Sequence, residues 1–255
     1  MIIDSHCHID FEDFDNDREQ VINRATAENI NKIIVPGVTK NNWNKIKSCC
    51  EEYSGLYPCY GLHPYFINKH QKSDIDDLIS WIEINKPVAI GECGLDFFLK
   101  NLDLQLQTYY FEKQLDIALD YNLPVVIHAR KSTESVIKAI KQRPGLRGMI
   151  HSYSGSYEQA LQLIKLGFYL SFGGPVTYEK SSRLRKLVQQ LPLEAILVET
   201  DAPDQPVANA KERRNEPLFI LEVIHNIAKL HNTSDEIISN ITSKNSCELF
   251  NLPAV

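Results

Sequence analysis

Ile2-Ile3-Asp4-Ser5-His6-Cys7-His8 is an apolar run that ends in two histidines one residue apart. Read as a β-strand, its side chains alternate between faces, so His6 and His8 point one way and Cys7 the other. Two imidazoles on one face can hold a divalent ion if other parts of the chain supply further ligands. A His-x-His pair alone carries little weight, since strand-end histidines are common. Its weight comes from repetition, because one short β-branched run after another ends in His, Glu or Asp.

The further runs are Lys32–Val38, Leu56–His63, Pro87–Glu92, Pro124–His128, Gly148–His151, Phe168–Phe172 and Ile196–Asp201. Amphipathic segments alternate with them, near Asp17–Glu28, through Trp43 and Ile46, and near Ser73–Ile84, Ser132–Gln142, Ser156–Leu166 and Lys180–Gln190. The clearest helix follows the fourth run, where Leu104, Phe111, Leu115 and Ala118 share a face. Helices at Pro217–Leu230, Ser234–Asn240 and Ser243–Phe250 are expected in the tail. Eight strands alternating with helices, with neither a linker nor a repeat, predict a (β/α)8 TIM barrel, one domain over residues 1–255. An open doubly wound sheet would favour a glycine-rich first turn, whereas the turn here is acidic.

In such a barrel the active residues stand at the C-terminal ends of the strands. Those ends carry His6, His8, His63, Glu92, His128, His151 and Asp201. Of the eight histidines, only His70, His225 and His231 fall in loops or on helices. Apolar side chains would fill the strand ends at lower cost than seven polar ones. Imidazoles and carboxylates together suit Zn, Mn or Mg, and a carboxylate can span two ions. Cys7 and Cys93 are out of phase with the ligands and are expected to face away from them. The six cysteines lack Cys-x-x-Cys spacing and read as reduced thiols.

The net charge of −6 does not mark a general nucleic-acid binder, so an anionic substrate would have to meet a local patch or metal ions. No apolar run reaches the ~18 residues of a membrane helix. Met1-Ile2-Ile3-Asp4 lacks the basic and apolar regions of a signal peptide, and a cytoplasmic location is expected.

In this order the motifs DSHCHID, GLHP, GECGLD, PVVIHAR, HSYSG and ETDAP resemble those of the TatD family of metal-dependent deoxyribonucleases, within the amidohydrolase superfamily. The resemblance runs from Ile3 to beyond Asn215-Glu216-Pro217. It implies a barrel holding two divalent ions: His6, His8 and Asp201 would bind one, His128 and His151 the other, and Glu92 would bridge them. It also implies catalytic roles for Asp201, Glu92 and His63, with His63 contacting the scissile phosphate. Arg130 and the Arg213-Arg214-Asn215 stretch would meet substrate or brace the site. The implied activity is phosphodiester cleavage, 3′–5′ exonuclease-like, on DNA ends.

Loop charges bear on the substrate. Arg130-Lys131, Lys211, Arg213 and Arg214 suit a phosphate backbone, and Tyr65 and Phe66 suit base stacking. The loop with Asp10, Glu12, Asp13, Asp15 and Asp17 would repel continuous duplex, which favours single-stranded or frayed ends. No obligate protein partner is expected. The alternative is a two-metal hydrolase of a small ester or amide, or of an aminoacyl ester, because fold and metals do not fix the substrate.

Overall fold

Eight β-branched runs become strands lying in chain order through one eight-stranded sheet, in a computed structural model that describes residues 1–253. They are β1 (Ile2–Asp4), β2 (Ile30–Val35), β3 (Leu56–Tyr60), β4 (Ala89–Asp96), β5 (Val125–Arg130), β6 (Gly148–Ile150), β7 (Phe168–Phe172) and β8 (Ile196–Val198). Between them run α1 (Arg18–Ala27), α2 (Trp43–Glu52), α3 (Asp74–Asn85), α4 (Leu104–Asp120), α5 (Thr133–Lys141), α6 (Tyr157–Lys165) and α7 (Ser182–Gln190). Two helices, α8 (Ile220–His231) and α9 (Asp235–Phe250), complete the order. The fold class is the expected (β/α)8 barrel. By internal contacts the chain divides into two compact units, Met1–Val35 with the chain from Leu170 on, and Pro36–Tyr169.

In the first unit, β1 pairs in parallel with β2 through Asp4↔Ile33, and β7 with β8 through Phe172↔Val198. Ile3, Ile34, Leu197, Ile224, Ile238 and Phe250 are buried in its core. Helix α9 is tied to β8 by Asn245, whose Nδ2 donates to Leu193 O (2.9 Å) and Ile196 O (2.8 Å). The Ser234 side chain caps α9, which continues to Phe250 as one helix where two were expected. Ser243, the residue read as a second start, is buried inside it and donates to Met1 O.

In the second unit the register between β4 and β5 slips by one residue between Ile90 and Cys93 and then holds to Asp96↔Arg130. Such a bulge re-aims a side chain without ending the strand. It carries β4 four residues beyond the expected end at Glu92. Gly94 permits this pairing: its φ is 144°, and a Cβ there would lie 2.0 Å from His128 O. Helix α4 is capped by Asp103, which accepts from Gln105 N and Leu106 N. Phe111, Leu115 and Ala118 form its buried face as expected, but Leu104 is about half exposed in the first turn. Two glutamines, Gln107 and Gln114, lie fully buried on that helix.

Candidate metal centre

In the first unit the ladder of β1 stops at Asp4, so His6 and His8 are not on a strand as expected. The backbone nevertheless stays held from both sides. Ser5 N donates to Val198 O (3.0 Å), Cys7 N to Ile34 O (3.0 Å) and His8 N to Ala202 O (2.8 Å). Asp201 N donates in turn to His6 O (2.9 Å). The result brings His6 Nε2 to 3.3 Å from His8 Nε2, with Asp201 Oδ1 at 3.4 and 3.6 Å from the two. Two ring nitrogens and one carboxylate oxygen in a near-equilateral triangle are poorly served by hydrogen bonds among themselves. Bonds of ~2.0–2.1 Å to a tetrahedral ion would set donor edges of roughly 3.3–3.4 Å, so the donor set fits a divalent ion.

The backing is polar and rigid. Buried Asp4 accepts from His6 N (3.2 Å) and Thr200 N (3.0 Å) on one oxygen, and from Thr200 Oγ1 (2.5 Å) on the other. Burial raises its pKa to about 7, against the pull of these bonds. Asp201 has φ 56°, a left-handed conformation that aspartate tolerates better than most residues. Its Oδ2 accepts from Gln205 Nε2 (2.5 Å), and His8 stacks on Phe11 at 4.5 Å between centroids.

Asn215 braces the loop after β8, donating from Nδ2 to Thr200 O (2.8 Å) and Asp204 O (2.7 Å). Arg214 forms a fork on Asp17 (2.8 and 2.7 Å), and its guanidinium lies 4.4 Å from the Phe14 ring centroid. Arg18 Nη2 donates to Asp15 Oδ1 while Nε donates to Ile9 O, so two of the acidic-loop charges are paired internally. Arg213 is exposed, with no side-chain hydrogen bond among the described residues.

In the second unit, Glu92 Oε1 lies 3.3 Å from His128 Nδ1 and 3.2 Å from His151 Nε2, and those nitrogens are 3.4 Å apart. This is a similar triangle, with edges of 3.2–3.4 Å against 3.3–3.6 Å in the first, again one carboxylate oxygen and two imidazoles. Strand β6 ends at Ile150, so His151 also stands just past its strand. His63 Nε2 is 2.9 Å from the same Glu92 oxygen, but its Nδ1 accepts from Tyr65 N (3.0 Å). That bond puts the proton on Nε2 and makes His63 a donor there rather than a ligand. Burial lowers its pKa to about 4, leaving the ring neutral near pH 7. For His128, burial opposes the charge, but the Asp96 and Glu92 carboxylates outweigh it and raise the pKa.

Helix α4 supplies what sequence reading missed. Gln107 accepts from Asp96 N (2.8 Å) and donates to Asp96 O (3.2 Å), completing the backbone where β4 ends. Gln114 does the same for Leu62, next to His63, at 2.7 and 3.1 Å. Their signal is present in the sequence: two polar residues seven apart among Phe111, Leu115 and Ala118. Arg130 is exposed at the end of β5, its guanidinium 3.9 Å from the Phe98 ring centroid. Cys7 Sγ faces Ala202 O (3.7 Å) and Cys93 Sγ faces Val126 O (3.8 Å), and burial raises the pKa of both thiols.

A family model described as TatD related DNase matches residues 3–251. The chain is 34% identical to the Escherichia coli metal-dependent hydrolase YjjV, over 98% of each chain. It is also 34% identical to the Bacillus subtilis metal-dependent hydrolase YabD, over 99% of this chain and 100% of that one. The crystal structure of the E. coli TatD homologue superposes with a TM-score of 0.94, covering 99% of this chain and 98% of the other. In fold alone, the E. coli phosphotriesterase homology protein follows at 14% identity and TM-score 0.71, over 98% of both chains.

Proposed function

Because the chain belongs to the TatD related DNase family, whose relatives are named metal-dependent hydrolases, we propose that it is a two-ion deoxyribonuclease acting on single-stranded or frayed DNA ends, 3′–5′ in direction. The observation that carries the reading is the pair of donor triangles, His6–His8–Asp201 and Glu92–His128–His151, each with the edges of an ion site. Glu92 would hold the second ion together with His128 and His151. The whole chain is taken as one catalytic domain.

Bound Zn, Mn or Mg would lower the pKa of water toward neutrality and draw charge from a phosphodiester. The protein's own groups do the rest. Water attacks phosphorus in line with the departing sugar oxygen, whose bond to phosphorus breaks and which takes a proton from solvent as it leaves. Asp201 Oδ2, released by Gln205, orients that water and accepts its proton. His63 donates its Nε2 proton in a hydrogen bond to a non-bridging oxygen, aimed where negative charge develops. Arg130, Arg213 and, once it exchanges its Asp17 partner, Arg214 meet backbone phosphates.

The test pairs a 3′-labelled single strand with a simple aryl ester. Chelator-treated protein should release no nucleotide, and added Zn, Mn or Mg should restore release to differing extents. Metal-dependent ester cleavage without nucleotide release would replace this reading with a small-ester hydrolase.

A further inference from the structure

Asp96 touches a candidate ligand without being one. We propose that it is the positioning residue that fixes the ring of His128 as a ligand through Nδ1, while its second oxygen holds the loop that begins at Phe98. The inference rests on the reading of His128 as a metal ligand.

Asp96 is buried at the end of β4. Its Oδ2 lies 3.1 Å from His128 Nε2, and its Oδ1 accepts from Phe98 N (2.9 Å). An ionised carboxylate only accepts hydrogen bonds, so the proton of a neutral His128 must sit on Nε2. Its Nδ1 is then left with a lone pair, aimed at the space beside Glu92 Oε1 and His151 Nε2. His63 shows the opposite arrangement at the same Glu92 oxygen. There a backbone N–H holds Nδ1, and the proton points inward on Nε2. Two imidazoles around one carboxylate oxygen thus carry the same tautomer, with the proton on Nε2, but are turned opposite ways by what touches the outer nitrogen: His128 presents its lone pair and is built to ligate, His63 presents its N–H and is built to donate.

Asp96 is in turn prevented from swinging away. Gln107 holds its backbone N and O, and it stands opposite Arg130 in the ladder. A carboxylate behind a ligating imidazole also raises the donor strength of the ring. Asparagine has nearly the same shape but one acceptor for two donors. If its amide faces His128, the ring must accept at Nε2 and carry its proton on Nδ1, the atom meant for the ion. If it faces Phe98, the loop loses its anchor.

The test uses the full chain. In metal-free wild type at alkaline pH, ring-nitrogen NMR should find His128 protonated on Nε2. In Asp96→Asn the form protonated on Nδ1 should appear, and zinc affinity in competition with a chelator should fall roughly 10–100-fold. Asp96→Ala should lose affinity to a similar extent. A wild-type His128 protonated on Nδ1 overturns the proposal with no variant needed. Wild-type zinc affinity in a folded Asp96→Asn overturns it as well. His128→Ala separates the two levels. If it keeps both zinc ions, the ligand reading beneath has failed. If it loses one while Asp96→Asn loses none, only the positioning role has failed. Neither readout depends on DNA being the substrate.

Discussion

Replacing Gln107 by leucine removes two hydrogen bonds at nearly constant volume, which isolates the value of completing the end of β4. The amide is fully buried, and so is the Asp96 backbone it serves. The bonds lost are Asp96 N to Oε1 (2.8 Å) and Nε2 to Asp96 O (3.2 Å). Each buried backbone group left without a partner costs about 1–3 kcal/mol. Leucine recovers about 1 kcal/mol because no amide need be desolvated. The net loss should be about 1–5 kcal/mol, a drop in Tm on the order of 2–20 °C for a chain of this size. Urea denaturation of the metal-free protein measures it, with an unchanged m-value as the check that both end states are comparable. Gln114→Leu, which releases Leu62 N and O, should lose a similar amount. A loss below about 0.5 kcal/mol in both variants would show that α4 does not hold these strand ends, and would refute the reasoning.

Asp201→Asn should lower turnover on every substrate, whereas Arg130→Ala should mainly raise KM for an oligonucleotide and reduce the slope of its salt dependence by about one. Equal effects of the two on kcat would contradict that division. Gly94→Ala should cost at least about 3 kcal/mol or abolish folding, because its Cβ would sit 2.0 Å from His128 O at a φ of 144°. A wild-type denaturation midpoint would count against the close strand approach. Asp4, with a folded pKa of about 7 against an ordinary 3.8, takes up a proton on folding between those two pH values. Its contribution is therefore fully present below pH 3.8 and lost as pH rises through 7. In metal-free protein Asp4→Asn should flatten that decline, and stability curves measured across this pH range would show it.

The barrel was legible because β-branched runs alternate with amphipathic ones, and that pattern alone specifies strand and helix. Strand ends were less legible. They depend on ladder partners far away in sequence, as at β4, where the bulge lets pairing run on to Asp96. The candidate donors stood out because His6, His8, His63, Glu92, His128, His151 and Asp201 occupy strand ends where packing alone would favour apolar residues, and the choice of six of them as ligands came from the family resemblance. The groups behind them did not stand out. Asp96 was visible in GECGLD without a role, and Gln205 and Asp4 act on partners set by the fold. Arg214 illustrates the same limit. Sequence places its charge beside substrate, and in the folded chain it first meets Asp17 and Phe14.

Metal content per chain tests the central claim most directly, read by elemental mass spectrometry after zinc loading and removal of free ions. Wild type should carry two ions. His8→Ala, which opens the first triangle, and His151→Ala, which opens the second, should each retain one. A wild-type chain that holds none, or a His8→Ala variant that still holds two, would contradict the account.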